Sequence, residues 1–169
     1  MYTREALLRD ATQIHDLIAS YSGDGTLLPR TLPEICENIR DFVVVEDGSR
    51  ILGCGALHLY GPHLAELRSI AVVREGKGNG AGRQLIDALL KQAERQEVNC
   101  VCLFTRIPDF FSRMGFSVAA REEIPDKLYK DCHRCPRQNN CDEVAMVRGE
   151  LPQFAILQPP ASQFVKLQW

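Results

Sequence analysis

The stretch Ser69-Ile70-Ala71-Val72-Val73-Arg74-Glu75-Gly76-Lys77-Gly78-Asn79-Gly80-Ala81-Gly82-Arg83-Gln84-Leu85 decides the fold. An apolar strand runs into a loop with glycine at every second position, Gly76, Gly78, Gly80 and Gly82, and the loop opens into an amphipathic helix. Glycine permits tight turns and lets backbone approach a ligand closely. The free amides of a helix start, with the dipole behind them, attract an anion. With a strand before and a helix after, a pyrophosphate cradle accounts for the cluster better than a flexible surface turn. Two familiar phosphate loops are excluded. A Walker loop ends in Gly-Lys-Ser/Thr, and here Gly82 is followed by Arg83 and Gln84. The dinucleotide fingerprint needs the spacing G-x-G-x-x-G, which the alternating glycines do not supply.

A chain of 169 residues suits one domain with its own hydrophobic core. Its apolar content of 45% and charged content of 25% are those of an ordinary globular protein. The net charge of -2 gives no global basic field, so a nucleic-acid partner is not expected. No apolar run approaches the ~20 residues of a membrane helix, and Met1-Tyr2-Thr3-Arg4-Glu5-Ala6 lacks the apolar core of a signal peptide. A cytoplasmic setting is therefore expected, with the seven cysteines as reduced thiols or metal ligands and not disulfides.

Outward from the glycine loop, spacing predicts the elements. A strand is expected at Thr3 to Leu8. A helix is expected at Asp10 to Tyr21, with Ile14, Leu17, Ile18 and Tyr21 on one face. A second helix at Leu32 to Arg40 opens with a capping box, Thr31 and Glu34, and Pro33 in its first turn. Phe42 to Glu46 and Ile51 to Tyr60 form a hairpin around Asp47-Gly48. Leu64 to Val73 is the strand that feeds the loop, and Gly80 to Gln96 is the helix after it. Val98 to Phe104 is a buried strand, Pro108 to Met114 a short helix closed by Gly115, and Phe116 to Arg121 and Val144 to Val147 are further strands. The tail from Pro152 to Trp169 has no clear period; it is either a strap on its own domain or an arm for a homodimer contact.

The run Lys77-Gly78-Asn79-Gly80-Ala81-Gly82, after an Ala-Val strand end, resembles motif A of the GNAT acetyltransferases, with Lys77 where that family usually has Arg or Gln. The resemblance covers about residues 1–150, read as one acetyltransferase domain, and leaves 151–169 as a C-terminal extension. It implies an α/β fold whose mixed, mostly antiparallel central sheet is splayed between strands 4 and 5 and flanked by helices. It also implies acetyl-CoA as co-substrate, held by Ile70, Ala71, Val72, Lys77, Gly78, Asn79, Gly80, Ala81, Gly82 and Arg83. Within the superfamily, Leu103-Phe104-Thr105-Arg106, Phe110-Phe111-x-x-x-Gly115-Phe116, Ala65-Glu66-Leu67-Arg68 and Leu28-Pro29-Arg30-Thr31 resemble the acetyltransferase domain of bacterial N-acetylglutamate synthases, in the short form that lacks a kinase-like domain. That resemblance implies N-acetylation of L-glutamate by direct transfer in a ternary complex, the first step of arginine biosynthesis.

The chemistry needs a base, because an amino acid's amine is mostly protonated at neutral pH. Glu66 is the candidate, acting directly or through a water, and a surface carboxylate on an alternating strand is the other reading. Asp131 and Glu143 are lesser candidates. A dicarboxylate acceptor calls for guanidinium forks, and Arg30, Arg68 and Arg106 sit where the synthase pattern puts them, with Lys127 and Lys130 able to add charge. Phe111 stands where many relatives carry a tyrosine that protonates the leaving thiolate; Tyr129 or water could replace it. Cys132-x2-Cys135-x5-Cys141, with His133 between, has some look of a metal site. A structural zinc needs a fourth ligand that the pattern does not supply, so no metal is assigned. Two other readings stay open: the same fold acting on glutamine, another amino acid, a polyamine or a protein amine, and a non-catalytic acyl-CoA-binding module.

Overall fold

In the computed structural model, which describes residues 1–74 and 78–151, a seven-stranded mixed sheet forms the centre. The chain runs β1 (Tyr2–Glu5), α1 (Ala11–Ser22), α2 (Leu32–Glu37), β2 (Phe42–Asp47), β3 (Arg50–Gly61), β4 (Leu64–Val72) and α3 (Ala81–Arg95). It continues through β5 (Cys100–Thr105), α4 (Pro108–Ser112), β6 (Ser117–Val118), α5 (Pro125–Lys130) and β7 (Val144–Gly149). The strand order is β1-β2-β3-β4-β5-β7-β6. Neighbours are antiparallel except β4 and β5, which run parallel and pair only through Ala65↔Val101 and Glu66↔Cys102. Beyond Glu66 the two strands part. This is the mixed, mostly antiparallel sheet splayed between strands 4 and 5 that the sequence led us to expect.

Period-two alternation divides β3 and β4 between two cores. Leu57, Ala65 and Leu67, with Val101 and Leu103 of β5, pack on Leu85, Ile86, Leu89 and Leu90 of α3. On the opposite face Phe42, Val44, Cys54, Ala56 and Ala71 meet Ile14 and Ile18 of α1 and Ile35 of α2. A smaller cluster of Leu64, Cys100, Cys102, Ile124 and Ala145 lies beside the start of α5. Cys54, Cys100 and Cys102 are thus core residues, whereas Cys36 is half-buried against the core beneath α1 and α2.

Local signals place several boundaries. Thr31 Oγ1 accepts from the Glu34 N–H at 3.3 Å and Glu34 Oε2 accepts from the Thr31 N–H at 2.7 Å, so the capping box starts α2 as expected. That helix ends at Glu37 and a 3-10 turn takes Ile39–Asp41. The expected strand from Phe116 to Arg121 shrinks to Ser117–Val118. The following segment forms α5, which apolar periodicity did not reveal. Its one buried residue is the charged Lys127, and the charged Asp131 follows at its C-terminal cap, so the apolar stripe that normally marks a helix is missing. Among the described residues no helix is long and apolar enough to cross a membrane. The proposed extension 151–169 lies, beyond Leu151, outside the described residues.

Candidate functional site

The site has two halves, separated by the end of β4. Past Glu66 the β5-facing edge of β4 is unpaired, and the strand carries a bulge: Cys54 pairs with Ala71 and Ala56 with Arg68, so β4 holds one residue more than β3. Ser69 takes the left-handed conformation there, with φ 54°. A non-glycine residue in that region is strained and persists only where its surroundings enforce it. Gly55 stands opposite, and a Cβ on it would come within 2.9 Å of Leu89 Cδ1 and 3.5 Å of Ile70 Cγ1. A Cβ at this position would push the Leu89 side chain of α3 aside. No sequence signal marked Ser69.

Past the bulge, Ile70 and Val72 are half-buried and Ala71 is in the core under α1. In the loop, Gly78 and Gly80 adopt φ values of 82° and 83°, with open space around each Cα. Both positions require glycine for conformation and not for packing. The Gln84 N–H bonds to the Gly80 carbonyl, which leaves the amides of Ala81, Gly82 and Arg83 without intrahelical partners. No acidic residue occupies the first turn of α3. Three free amides, a helix dipole and an absence of competing carboxylates in that turn suit a phosphate group. Asn79 is exposed at the loop tip. Arg83 points outward and pairs with Asp87 at 3.9 Å, so only its backbone amide is free to meet a ligand at this helix start. Lys77 lies outside the described residues.

On the other face of the sheet a cavity of about 450 Å³ opens among β4, β5, the Gly25–Arg30 loop and the segment from Arg121 to Glu143. Glu66, Arg30, Arg68 and Arg106 all line it, so residues far apart in sequence meet in one wall. Glu66 is 2% exposed. Lys127 Nζ stands 2.7 Å from its Oε1, and the Tyr60 hydroxyl donates to its Oε2 at 2.8 Å. Lys127 also reaches Asp131 Oδ2 at 2.8 Å. Burial pushes the Lys127 pKa down, but the Glu66 and Asp131 carboxylates outweigh it and hold the ammonium form. For Asp131, burial opposes the charge, yet Lys127, Arg30 and Arg68 keep its carboxyl below the ordinary range. Burial and the Glu66 charge push Tyr60 well up, so it remains a donor.

The three arginines differ in what they have left to offer. Arg106 donates from Nε to Asp142 Oδ1 at 2.8 Å and from Nη1 to the Gly25 and Thr26 carbonyls, each at 3.2 Å. Its fork is engaged in holding the loop over the cavity. Arg121, missed from sequence, is engaged likewise, bonding Cys141 Sγ and the Glu143 carbonyl. Arg137 bonds the Gly25 carbonyl at 3.3 Å. Arg30 and Arg68 make no hydrogen bond or ion pair among the described residues, although their charge acts on Glu34 and Asp131. They are the two guanidinium groups available to a ligand.

Phe111 does not face the cavity. It is buried, edge-on to Phe110 at 5.0 Å and to Phe116 at 5.8 Å between ring centroids. Tyr129, suggested as its replacement, is 82% exposed and borders a separate shallow surface pocket with Pro125 and Lys130, which puts it outside the cavity. Lys130 also turns away from the cavity and meets His58 Nε2 at 2.6 Å. Cys132, Cys135 and Cys141 all line the cavity as free thiols. Among the described residues no group of three or more His, Cys, Asp or Glu side chains is arranged to hold a metal ion.

Comparison with known proteins agrees with this geometry. Residues 38–118 match the family model described as an acetyltransferase (GNAT) domain. An uncharacterized N-acetyltransferase of Chlorobaculum tepidum is 39% identical over 145 residues, which cover 86% of this chain and 94% of that protein. An amino-acid acetyltransferase of Mycobacterium tuberculosis is 33% identical over 134 residues, 78% of this chain and 76% of that one. Among solved structures, a Mycobacterium tuberculosis protein in complex with CoA and a ligand designated NLQ gives a TM-score of 0.75 at 26% identity, covering 89% of this chain and 100% of that one. An N-acetylglutamate synthase of Neisseria gonorrhoeae, complexed with coenzyme A and N-acetyl-glutamate, shares the fold with a TM-score of 0.77 at 24% identity, over 89% of this chain and 35% of that one.

Proposed function

Because this chain belongs to the GNAT acetyltransferase family and transfers an acetyl group from acetyl-CoA to an amine, we propose that its acceptor is an amino acid with a second carboxylate, L-glutamate, which it converts to N-acetyl-L-glutamate. This would place it at the entry to arginine biosynthesis. The observation that carries the reading is the pair of uncommitted guanidiniums, Arg30 and Arg68, in the wall of a cavity that also holds the buried carboxylate of Glu66. Two forks suit two carboxylates. A polyamine or a lysine side chain would meet the wrong sign of charge there. The amino-acid acetyltransferase name of a relative at 33% identity supports the same choice.

In this reading Arg30 and Arg68 grip the acceptor's carboxylates and turn its amine toward the splay between β4 and β5. Arg106 serves the acceptor indirectly, by fixing the Gly25–Thr26 backbone at the cavity mouth. Glu66 accepts the proton that the amine must lose. Because Lys127 and Tyr60 occupy one side of each oxygen, that proton passes most simply through a water. The deprotonated nitrogen attacks the thioester carbonyl directly. An N–H on the unpaired edge between Ile70 and Val72 meets the negative charge that develops on its oxygen. The amides of Gly78 through Arg83 hold the pyrophosphate. No side chain is assigned to protonate the departing thiolate, which is a fair leaving group by itself.

The test is release of free thiol from acetyl-CoA against each of the twenty amino acids. Turnover confined to glutamate supports the reading. Turnover on lysine or polyamines, or on none of these amines, overturns the acceptor assignment and leaves the family intact.

A further inference from the structure

Lys127 is 7% exposed, a burial that a lysine tolerates only when its charge is matched. Its ammonium group joins two carboxylates from different parts of the chain, Glu66 on β4 at 2.7 Å and Asp131 just past α5 at 2.8 Å. Nζ also stands over the Phe104 ring, 5.8 Å from its centroid. The Tyr60 hydroxyl closes the opposite side of Glu66 at 2.8 Å. A carboxylate bonded on both oxygens has one orientation, and a base must be held within hydrogen-bond reach of the proton it takes. Among the described residues, the charged and titratable groups that act on this network are Arg68 on β4, Tyr60 and His58 on β3, Cys102 on β5, Arg30 ahead of α2, Arg121, Lys130 on α5, and Asp131 and Cys132 beyond it. Lys127 is the one cation among the described residues that pairs with Glu66.

We propose that Lys127 is a positioning residue for the acceptor site: its ammonium group locks the Glu66 carboxylate in one orientation and ties it to Asp131, so that the proton leaving the acceptor amine meets an acceptor fixed in place. The proposal rests on the reading of Glu66 as proton acceptor. It gives α5 a function in the reaction beyond packing. It also explains why the buried position of that helix, Lys127, is charged and paired with the capping Asp131, where apolar residues would stabilise the fold more simply.

The experiment is steady-state kinetics with glutamate and acetyl-CoA, from acid to alkaline pH, for the wild type, Glu66→Gln, Lys127→Met, Lys127→Arg and Asp131→Asn, each with a thermal melt. Lys127→Met is expected to lower kcat about tenfold or more while leaving KM for glutamate within about threefold, and to move the acid limb of the kcat/KM profile to higher pH, because a buried carboxylate without its counter-charge takes up a proton more readily. Lys127→Arg should recover part of kcat and restore the acid limb, since it keeps the charge with altered geometry. The double variant Glu66→Gln/Lys127→Met should be no slower than Glu66→Gln alone. If Lys127→Met does not fold, Lys127→Arg and Asp131→Asn carry the test, and unchanged kcat and pH profile in both overturns the proposal. A Lys127→Met protein that loses melting temperature but keeps the wild-type kcat and acid limb also overturns it, because a merely structural lysine behaves that way. Full activity in Glu66→Gln is a separate outcome: it removes the proton-acceptor reading and the proposal with it. A slow Glu66→Gln beside a normal Lys127→Met removes the proposal alone.

Discussion

The Tyr21 hydroxyl of α1 donates to the Val72 carbonyl at the end of β4 across 2.6 Å. The bond ties the first helix to the last residue of the strand from which the glycine loop departs, while the next residue, Val73, donates its N–H to the Leu52 carbonyl at 2.8 Å. The end of β4 is therefore anchored from two sides. Tyr21→Phe keeps the ring and removes one anchor. It should destabilise the protein by about 1 kcal/mol and raise KM for acetyl-CoA about fivefold. A drop in melting temperature with no change in that KM would limit the bond to packing.

Two glycines of the loop separate conformation from close approach. Gly80 has φ 83° with no heavy atom within 4 Å of a Cβ, so Gly80→Ala is strained by its backbone alone, by about 1–2 kcal/mol. Melting temperature and CoA affinity should fall together. Gly82 has no left-handed φ, and a Cβ there would meet Phe110 Cζ at 3.8 Å and Val72 Cγ2 at 3.9 Å, ordinary contacts. Gly82→Ala should keep the melting temperature and weaken only CoA, as read by titration calorimetry. Equal CoA affinity in the wild type and both variants would remove the loop from the binding site.

Arg68 and Arg106 line one cavity but should respond differently to truncation. Arg68→Ala removes a fork with no protein partner among the described residues, so KM for glutamate should rise about 10- to 100-fold with the melting temperature unchanged. Arg106→Ala releases the Gly25 and Thr26 carbonyls and Asp142. It should lower the melting temperature as well as the glutamate affinity. Identical profiles for the two variants would contradict the division drawn between them.

His58 is neutral in the folded protein. Burial first, then the Arg68 and Lys130 charges, push its pKa from 6.5 to about 4. With Lys130 as the donor, its Nε2 accepts at 2.6 Å. As pH falls from about 6.5 to about 4, the unfolded chain takes up this proton and the folded one does not, so the unfolded state gains and stability declines. Below about 4 both states carry the proton and this contribution is exhausted. His58→Gln should lose less stability than the wild type across that window in urea melts at fixed pH values. Parallel pH dependence in the two proteins would show that some other group titrates there.

Phe111 sits in the core between Phe110 and Phe116. Restoring a hydroxyl at this position, Phe111→Tyr, should therefore bring no gain in kcat, and burying the hydroxyl without a partner should destabilise the fold by about 1–3 kcal/mol. Faster turnover in the variant would mean that the ring reaches the thiolate after all.

The order of elements could be read from the chain because it rests on local spacing. The Thr31–Glu34 box and the stripe Leu85, Ile86, Leu89, Leu90 each lie within a few residues and appear as expected, and the hairpin forms one residue later than expected, with Gly48-Ser49 as its turn because Asp47 pairs with Arg50. α5 was missed because its buried position is Lys127, a charge made tolerable by Glu66, far away in sequence, together with Asp131.

By itself the sequence determined the sheet-and-helix order, the glycine loop that feeds α3, and the set of charged residues from which an acceptor site would be drawn. Local conformation and periodicity are properties of short segments. Only the tertiary structure decided which of those charges remain available to a ligand. It alone matched Glu66 with Lys127, engaged Arg106 and Arg121 within the protein, left Arg30 and Arg68 facing the cavity, and bulged β4 at Ser69 opposite Gly55. Hydrogen bonds and charge pairs of this kind form between residues that approach one another only when the sheet has closed, so no window of sequence contains them.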